Sequence, residues 1–231
     1  MTPSPQRIDV RQQPGAAIDA AAAAVEAGHC IVLPTDTVYG IGADAFNAGA
    51  VQGLLEAKQR GRDMPPPVLI AEASMLRSLA AAVSRDAAAL AAAFWPGALT
   101  LVVSAQPSLR MDLGDRGETI AVRVPDHPFT RELLRATGPL AVSSANVSAM
   151  PAAMNIDQAL DQLGDSVAVY LDDGEATGPV PSTIVDVTGT PRVLREGRIT
   201  QEQLREVVPT LAIESVVDPA DVDSADDTRQ G

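Results

Sequence analysis

Residues 33–42 read Leu33-Pro-Thr-Asp-Thr-Val-Tyr-Gly-Ile-Gly42, and how their glycines are understood decides the fold. An apolar run from Cys30 to Leu33 stops at Pro34. Thr35, Asp36 and Thr37 follow, and Tyr39 leads into Gly40-Ile41-Gly42. Extended to Ala45, the glycines spell the Gly-x-Gly-x-x-Ala pattern of a dinucleotide-binding turn. That pattern needs its first glycine at the strand end and the helix start within the motif. Here Pro34 to Tyr39 intervene, and the next helical pattern begins only at Asn47. A nicotinamide cradle is therefore disfavoured. The expectation is a tight turn in which Gly40 and Gly42 supply positive φ. No Gly-x-x-x-x-Gly-Lys-Ser/Thr loop occurs either.

Outward from this stretch, helical and strand patterns interleave. Helices are expected over 16–27, ending at Gly28, and over 47–59, with Val51, Leu54, Leu55 and Lys58 on one stripe. Others are expected over 84–94 with Ser84 as N-cap, 129–136, 156–163, and 200–207 with Thr200 as N-cap. Strands are expected over 30–33, 68–71, 99–103, 119–124, 140–143, 167–171, 183–187 and 193–194. The adjacent strands near 183–194 imply antiparallel pairing. The fold class is α/β: a twisted, open, mixed parallel and antiparallel sheet flanked by helices.

The chain has 231 residues, 46% hydrophobic but only 3% aromatic, so its core is aliphatic and Ala-rich. The single cysteine, Cys30, reads as a small buried hydrophobe, which excludes an intrachain disulfide and suits a reducing cytosol. The opening MTPSPQRIDV has no apolar h-region, and no run approaches the ~20 apolar residues of a membrane helix. A soluble cytoplasmic protein is expected. Net charge is -13, and Glu214 to Gly231 hold six acids against Arg229, leaving -8 on the body. The domain is taken as 1–211, with 212–231 an acidic, disordered tail. An acidic body disfavours general nucleic-acid affinity but not a local basic pocket.

Three groups of polar residues at element ends remain. Lys58-Gln-Arg60-Gly-Arg62 places three cations at a helix C-terminus, where they offset the helix dipole. Lys58 also sits on the apolar stripe, which aims its head inward, and Pro65-Pro66-Pro67 stiffen the following loop; these two details shift the reading to an anion site. Ser143-Ser-Ala-Asn146-Val-Ser148 follows a strand and reads as a hydrogen-bonded turn or as a ligand-facing shelf. On the strand 119–124, Thr119, Ala121 and Arg123 share one face, solvated or ligand-facing. Ser182 and Arg195 add a hydroxyl and a cation. His29 and His127 lie apart at element boundaries, where surface placement is expected. With one cysteine they make no tetrahedral zinc site. This inventory suits positioning and charge stabilisation on an anionic substrate.

Seven segments in register resemble one family, the YrdC-type threonylcarbamoyl-adenylate synthases in their short, single-domain form. These are Pro34 to Gly40, Lys58-Gln-Arg60, Trp95-Pro-Gly97, Thr119 to Pro125, Ser144-Ala-Asn146, Ser182 to Asp186 and Leu194-Arg195. The resemblance implies a YrdC-like fold with a deep basic cavity. It implies synthesis of threonylcarbamoyl-AMP and pyrophosphate from L-threonine, bicarbonate and ATP, for the N6-threonylcarbamoyladenosine at position 37 of tRNA. It places Thr35, Arg123, Ser144 and Ser182 on threonine, and Lys58, Arg62, Thr119, Asn146 and Arg195 on ATP. Lys58 and Arg60 are the expected catalytic pair. Mg2+ is expected with ATP, with no metal held by the protein alone. Threonylcarbamoyl-transfer proteins are expected partners, and a weak RNA contact is admitted. Met64, Leu69, Ala149 and Met154 depart from residues common in the family. Two other classes compete: an RNA-binding module, and a carbamoyl-transfer domain like those of hydrogenase maturation proteins.

Overall fold

The structure, a computed structural model, describes residues 4–115 and 117–212. The chain starts with strand β1 (Gln6–Asp9) and helix α1 (Pro14–Glu26). Pro14 opens α1, where its missing N–H costs nothing, and Ala17, Ala21 and Val25 form its buried stripe. Gly28 follows it at φ +81, the left-handed position expected after a helix end. Next come β2 (Ile31–Leu33), β3 (Gly40–Asp44), α2 (Ala48–Ala57) and β4 (Val68–Leu69). A short α3 (Leu76–Leu79) precedes α4 (Arg85–Phe94), β5 (Leu99–Ser104) and β6 (Thr119–Arg123). Then follow α5 (Pro128–Thr137), β7 (Leu140–Ser144), α6 (Ile156–Leu163), β8 (Val169–Asp172), β9 (Thr183–Asp186), β10 (Arg192–Arg195) and α7 (Gln201–Val207).

The caps are local and mostly legible. Ser84 Oγ accepts from the Ala87 N–H at 3.1 Å, and Thr200 forms a reciprocal capping box with Gln203. Asn47 and Asn155 cap α2 and α6 in the same way. His127 caps α5 through Nδ1, and its Nε2 lies 3.0 Å from Asp173. Its side chain is 16% exposed, so the expected surface histidine is instead a link between two loops.

The strands form one mixed sheet in the order β1-β8-β2-β3-β7-β4-β6-β5-β9-β10. β1, β8 and β2 run parallel, as do β4 with β6 and β5 with β9; the other neighbours are antiparallel, including β9 with β10 as expected. On one half of the sheet, α1 and α5 cover one face and α2 and α6 the other. On the other half, α3, α4 and α7 bury Leu99, Leu101, Val103, Ile120, Val122 and Val185. Because side chains alternate along a strand, Thr100, Val102, Thr119, Ala121, Arg123 and Ile184 face the opposite way. Among the described residues no helix cluster covers that second face; it is the floor of the site.

The glycine reading of residues 40–42 is corrected. Gly40 and Gly42 lie inside β3, between β2 and β7, and neither has positive φ. Their requirement is space. A Cβ on Gly40 would stand 2.6 Å from Val142 Cγ1 and 3.3 Å from the Ser143 carbonyl oxygen. On Gly42 it would meet Leu33 Cδ2 at 3.0 Å. Glycine in a strand marks close approach by a neighbour as readily as a turn. Strand β1 was also not anticipated. Cys30 is buried as expected. Ala212 pairs with Arg192, and the rest of the expected tail, 213–231, lies outside the described residues.

Candidate active site

A cavity of about 550 Å³ opens on the uncovered sheet face. Its floor comes from β4, β5, β6, β7 and β9, and its walls from the loops 35–40, 60–67, 144–152 and 179–182 together with the 194–195 end of β10. Among the described residues, Arg60, Arg123 and Arg195 line it, and no Asp or Glu does.

Residues 35–38 form a hydroxyl-stapled turn at the end of β2. Thr35 Oγ1 donates to the Val38 carbonyl at 2.6 Å and accepts from the Thr37 N–H at 3.1 Å. Thr37 Oγ1 lies 3.0 Å from Thr35 Oγ1. Thr35 has spent its one proton, so Thr37 donates to it, leaving the Thr37 oxygen to accept from Arg123 Nη1 at 3.1 Å. Asp36 completes the turn with a 2.6 Å ion pair to Arg123 Nη2. Arg123 Nε donates to the Gly97 carbonyl at 3.0 Å. The alternating strand thus resolves as cavity-facing, with Thr119, Ala121 and Arg123 all in the lining.

Opposite stands the 144–150 turn. Lys58 ends α2 with its head turned inward, and the residue is 2% exposed. Its Nζ donates to the carbonyls of Ser144 and Asn146, each at 2.6 Å, and reaches Asn146 Oδ1 at 3.4 Å. The Asn146 amide donates to the carbonyls of Val147 and Met150 at 2.8 and 2.7 Å. Lys58 is therefore the pin beneath the shelf, and Ser144 and Asn146 are the shelf. Burial, joined by the charge of Arg60, lowers the Lys58 ammonium to about 8.

Arg60 Nη1 donates to Ser143 Oγ at 3.0 Å, while its buried Nε has no partner among the described residues. Arg195 Nη2 donates to the Ser182 carbonyl at 2.8 Å, and Ser182 Oγ lies 2.9 Å from Thr100 Oγ1. Burial lowers the pKa of Arg195, and the charges of Arg123 and Arg60 push the same way. Burial also lowers Arg60 and Arg123, with Asp36 opposing it at Arg123. The walls carry mutually repelling guanidiniums that an anion would relieve.

Of the residues singled out from sequence, Thr35, Arg60, Thr119, Arg123, Ser144, Asn146, Ser182 and Arg195 converge on the cavity. Lys58 touches it only through the turn it holds. Arg62 is not among the lining residues; it pairs with Asp112 at 2.5 Å and reaches Asp115 at 3.6 Å, clipping two loops together. Of the four departures from family residues, Leu69 lines the floor, and Met64 and Met154 are not in the lining. Ala149 adopts φ +66, where a glycine would be unstrained. Sequence reasoning missed Thr37 and Thr100, and left Asp36 without a role. The alternation of Thr100 with the buried Leu99 and Leu101 was the one available signal.

Comparison with known proteins gives a consistent picture. The Sua5/YciO/YrdC family profile, described as "Telomere recombination", matches residues 23–197. A Mycobacterium tuberculosis protein, provisionally named threonylcarbamoyl-AMP synthase, is 52% identical over 198 residues, covering 85% of this chain and 91% of its own. The Bacillus subtilis threonylcarbamoyl-AMP synthase is 38% identical over 84% of this chain and 57% of its own. The crystal structure of Pyrococcus abyssi Sua5 complexed with L-threonine superposes with a TM-score of 0.84 at 32% identity. That match covers 96% of this chain and 65% of the archaeal one, so the present chain spans about two thirds of its length.

Proposed function

The chain belongs to the Sua5/YciO/YrdC family, and from that premise we propose that it is an L-threonylcarbamoyladenylate synthase. It joins L-threonine, bicarbonate and ATP into threonylcarbamoyl-AMP, releasing pyrophosphate and water, and supplies the tRNA adenosine-37 modification. The observation that carries this reading is a cavity whose described lining holds three guanidiniums and no carboxylate. All three substrates bring negative charge, and a cavity that gathers them must offset their repulsion.

The threonine carboxylate meets the fork of Arg123, whose planar donors suit two parallel hydrogen bonds. Ser144 and Ser182, which line the same cavity, would add hydroxyls to it, and the Thr35–Thr37 turn orients the fork. The threonine amine and bicarbonate form a carbamate with loss of water. A carbamate oxygen then attacks the α-phosphorus as the bond to the β-phosphate breaks and pyrophosphate leaves. Arg60 and Arg195 face the charge that builds on the phosphates, with Thr119 and Asn146 positioning the nucleotide. Lys58 contributes by holding the Asn146 turn, and Arg62 by holding the loop over 60–67. No group of three or more His, Cys, Asp or Glu suited to a metal occurs among the described residues. Mg2+ would arrive on the ATP phosphates and would neutralise the leaving group.

No helix of the described residues is long and apolar enough to cross a membrane. Threonylcarbamoyl-transfer proteins would take the product, and any RNA contact is weak because the chain is acidic. The test combines pyrophosphate release with mass spectrometry of the products. The reading requires threonylcarbamoyl-AMP and release that depends on both threonine and bicarbonate; ATP turnover indifferent to threonine overturns it.

A further inference from the structure

We propose that Asp36 is a positioning residue that sets the binding edge of Arg123 before substrate arrives. Asp36 does not line the cavity, whereas Arg123 does. Their side chains are 12% and 8% exposed, so the 2.6 Å pair is nearly dry. A guanidinium has five N–H bonds. In Arg123 one goes from Nε to Gly97, one from Nη1 to Thr37 and one from Nη2 to Asp36. One N–H on each Nη remains for a ligand, and the three bonds already made fix the plane and heading of the group that offers them.

The clamp is itself held. The Asp36 carbonyl accepts from Thr177 Oγ1 at 2.8 Å and from Arg198 Nη1 at 2.6 Å, so the segments after β8 and β10 fix the turn from above. Asp36 also answers an electrostatic problem. Arg123 shares the cavity with Arg60 and Arg195, and like charges would swing an unpaired guanidinium towards solvent. With Asp36 in place, Arg123 stays charged and aimed while the cavity is empty. Removing one member of such a pair strands the other. The inference rests on the preceding assignment of Arg123 to the threonine carboxylate.

The test is steady-state kinetics of Asp36→Ala, Asp36→Asn and wild type, with threonine and ATP varied separately. Asp36→Ala should raise the threonine KM about tenfold or more, the scale of a lost charge-assisted hydrogen bond. The ATP KM should move less than about threefold, since uniform damage would shift both. Asp36→Asn keeps the shape and one acceptor, so it should fold and fall between. A threonine KM within about twofold of wild type in both variants, or an equal rise in the ATP KM, overturns the proposal. A wild-type protein with no threonine-dependent pyrophosphate release would instead overturn the synthase reading. Nitrogen-15 NMR of the Arg123 guanidinium, assigned with Arg123→Lys, then decides the positioning claim. Separate Nη signals in wild type that average in Asp36→Asn uphold it, and identical spectra overturn it.

Discussion

Lys58 grips Asn146 at two atoms, its carbonyl oxygen at 2.6 Å and its side-chain oxygen at 3.4 Å, while a third donor holds the Ser144 carbonyl. A residue that resembles a phosphate-binding lysine in sequence thus spends its protons on the backbone of the opposite wall. Lys58→Met keeps the apolar stem and strips the pin, leaving buried carbonyls bare. It should cost about 2 kcal/mol or more in urea unfolding, besides lowering turnover. A variant as stable as wild type would show that the shelf stands without it.

The same lysine gives a pH signature. Burial lowers it to about 8 in the folded protein, against 10.5 ordinarily. Between these values the unfolded chain holds more protons than the folded one. Stability attributable to Lys58 therefore rises as pH climbs through that window, the reverse of a lysine that gains a carboxylate partner. Urea unfolding of wild type and Lys58→Met at the two ends of the window isolates the effect. The wild type should gain on the variant at the alkaline end; parallel curves would count against the lowered value.

Gly40→Ala should destabilise by about 1–3 kcal/mol through overpacking, because the added methyl meets Val142 Cγ1. Adding Val142→Ala should recover part of that loss, though not all, since the Ser143 carbonyl is also close. Urea midpoints of the single and double variants measure both effects. No recovery in the double variant would place the conflict in the backbone.

Arg195→Met removes one of three repelling cations. The ligand-free variant should melt no lower than wild type, while stabilisation by ATP, about 2.7 kcal/mol at a hundredfold excess over Kd, should largely disappear. Thermal melts with and without ATP test the pair of outcomes. An unchanged shift with ATP would remove Arg195 from the nucleotide site.

Much of the architecture could be read one element at a time. Ser84 and Thr200 announced their helices, and the aliphatic runs 99–103 and 119–124 announced their strands, because capping and alternation are local. The convergence of Thr35, Arg123, Ser144 and Arg195 followed from element ends together with the family resemblance. What stayed hidden depends on partners distant in sequence. Gly40 looked like a turn until Val142 was placed against it, and Asp36 had no meaning without Arg123, 87 positions on. Lys58 and Arg62 lie four residues apart, yet one is pinned inward under a turn and the other faces Asp112 outside. Charge and spacing cannot separate them; the direction of each side chain does.

The sheet order also bears on how the protein is made. The floor of the cavity draws on β4, β5, β6, β7 and β9, and Arg195 belongs to the last strand of the described residues. A ribosome that has released only the first 180 residues presents Thr35, Arg60, Arg123 and Ser144 without Ser182 or Arg195. Pairing strands so far apart is slow, and the capacity to gather three anions should arrive late and at one stroke. A nascent chain should pass through synthesis with almost no affinity for ATP until β9 docks beside β5.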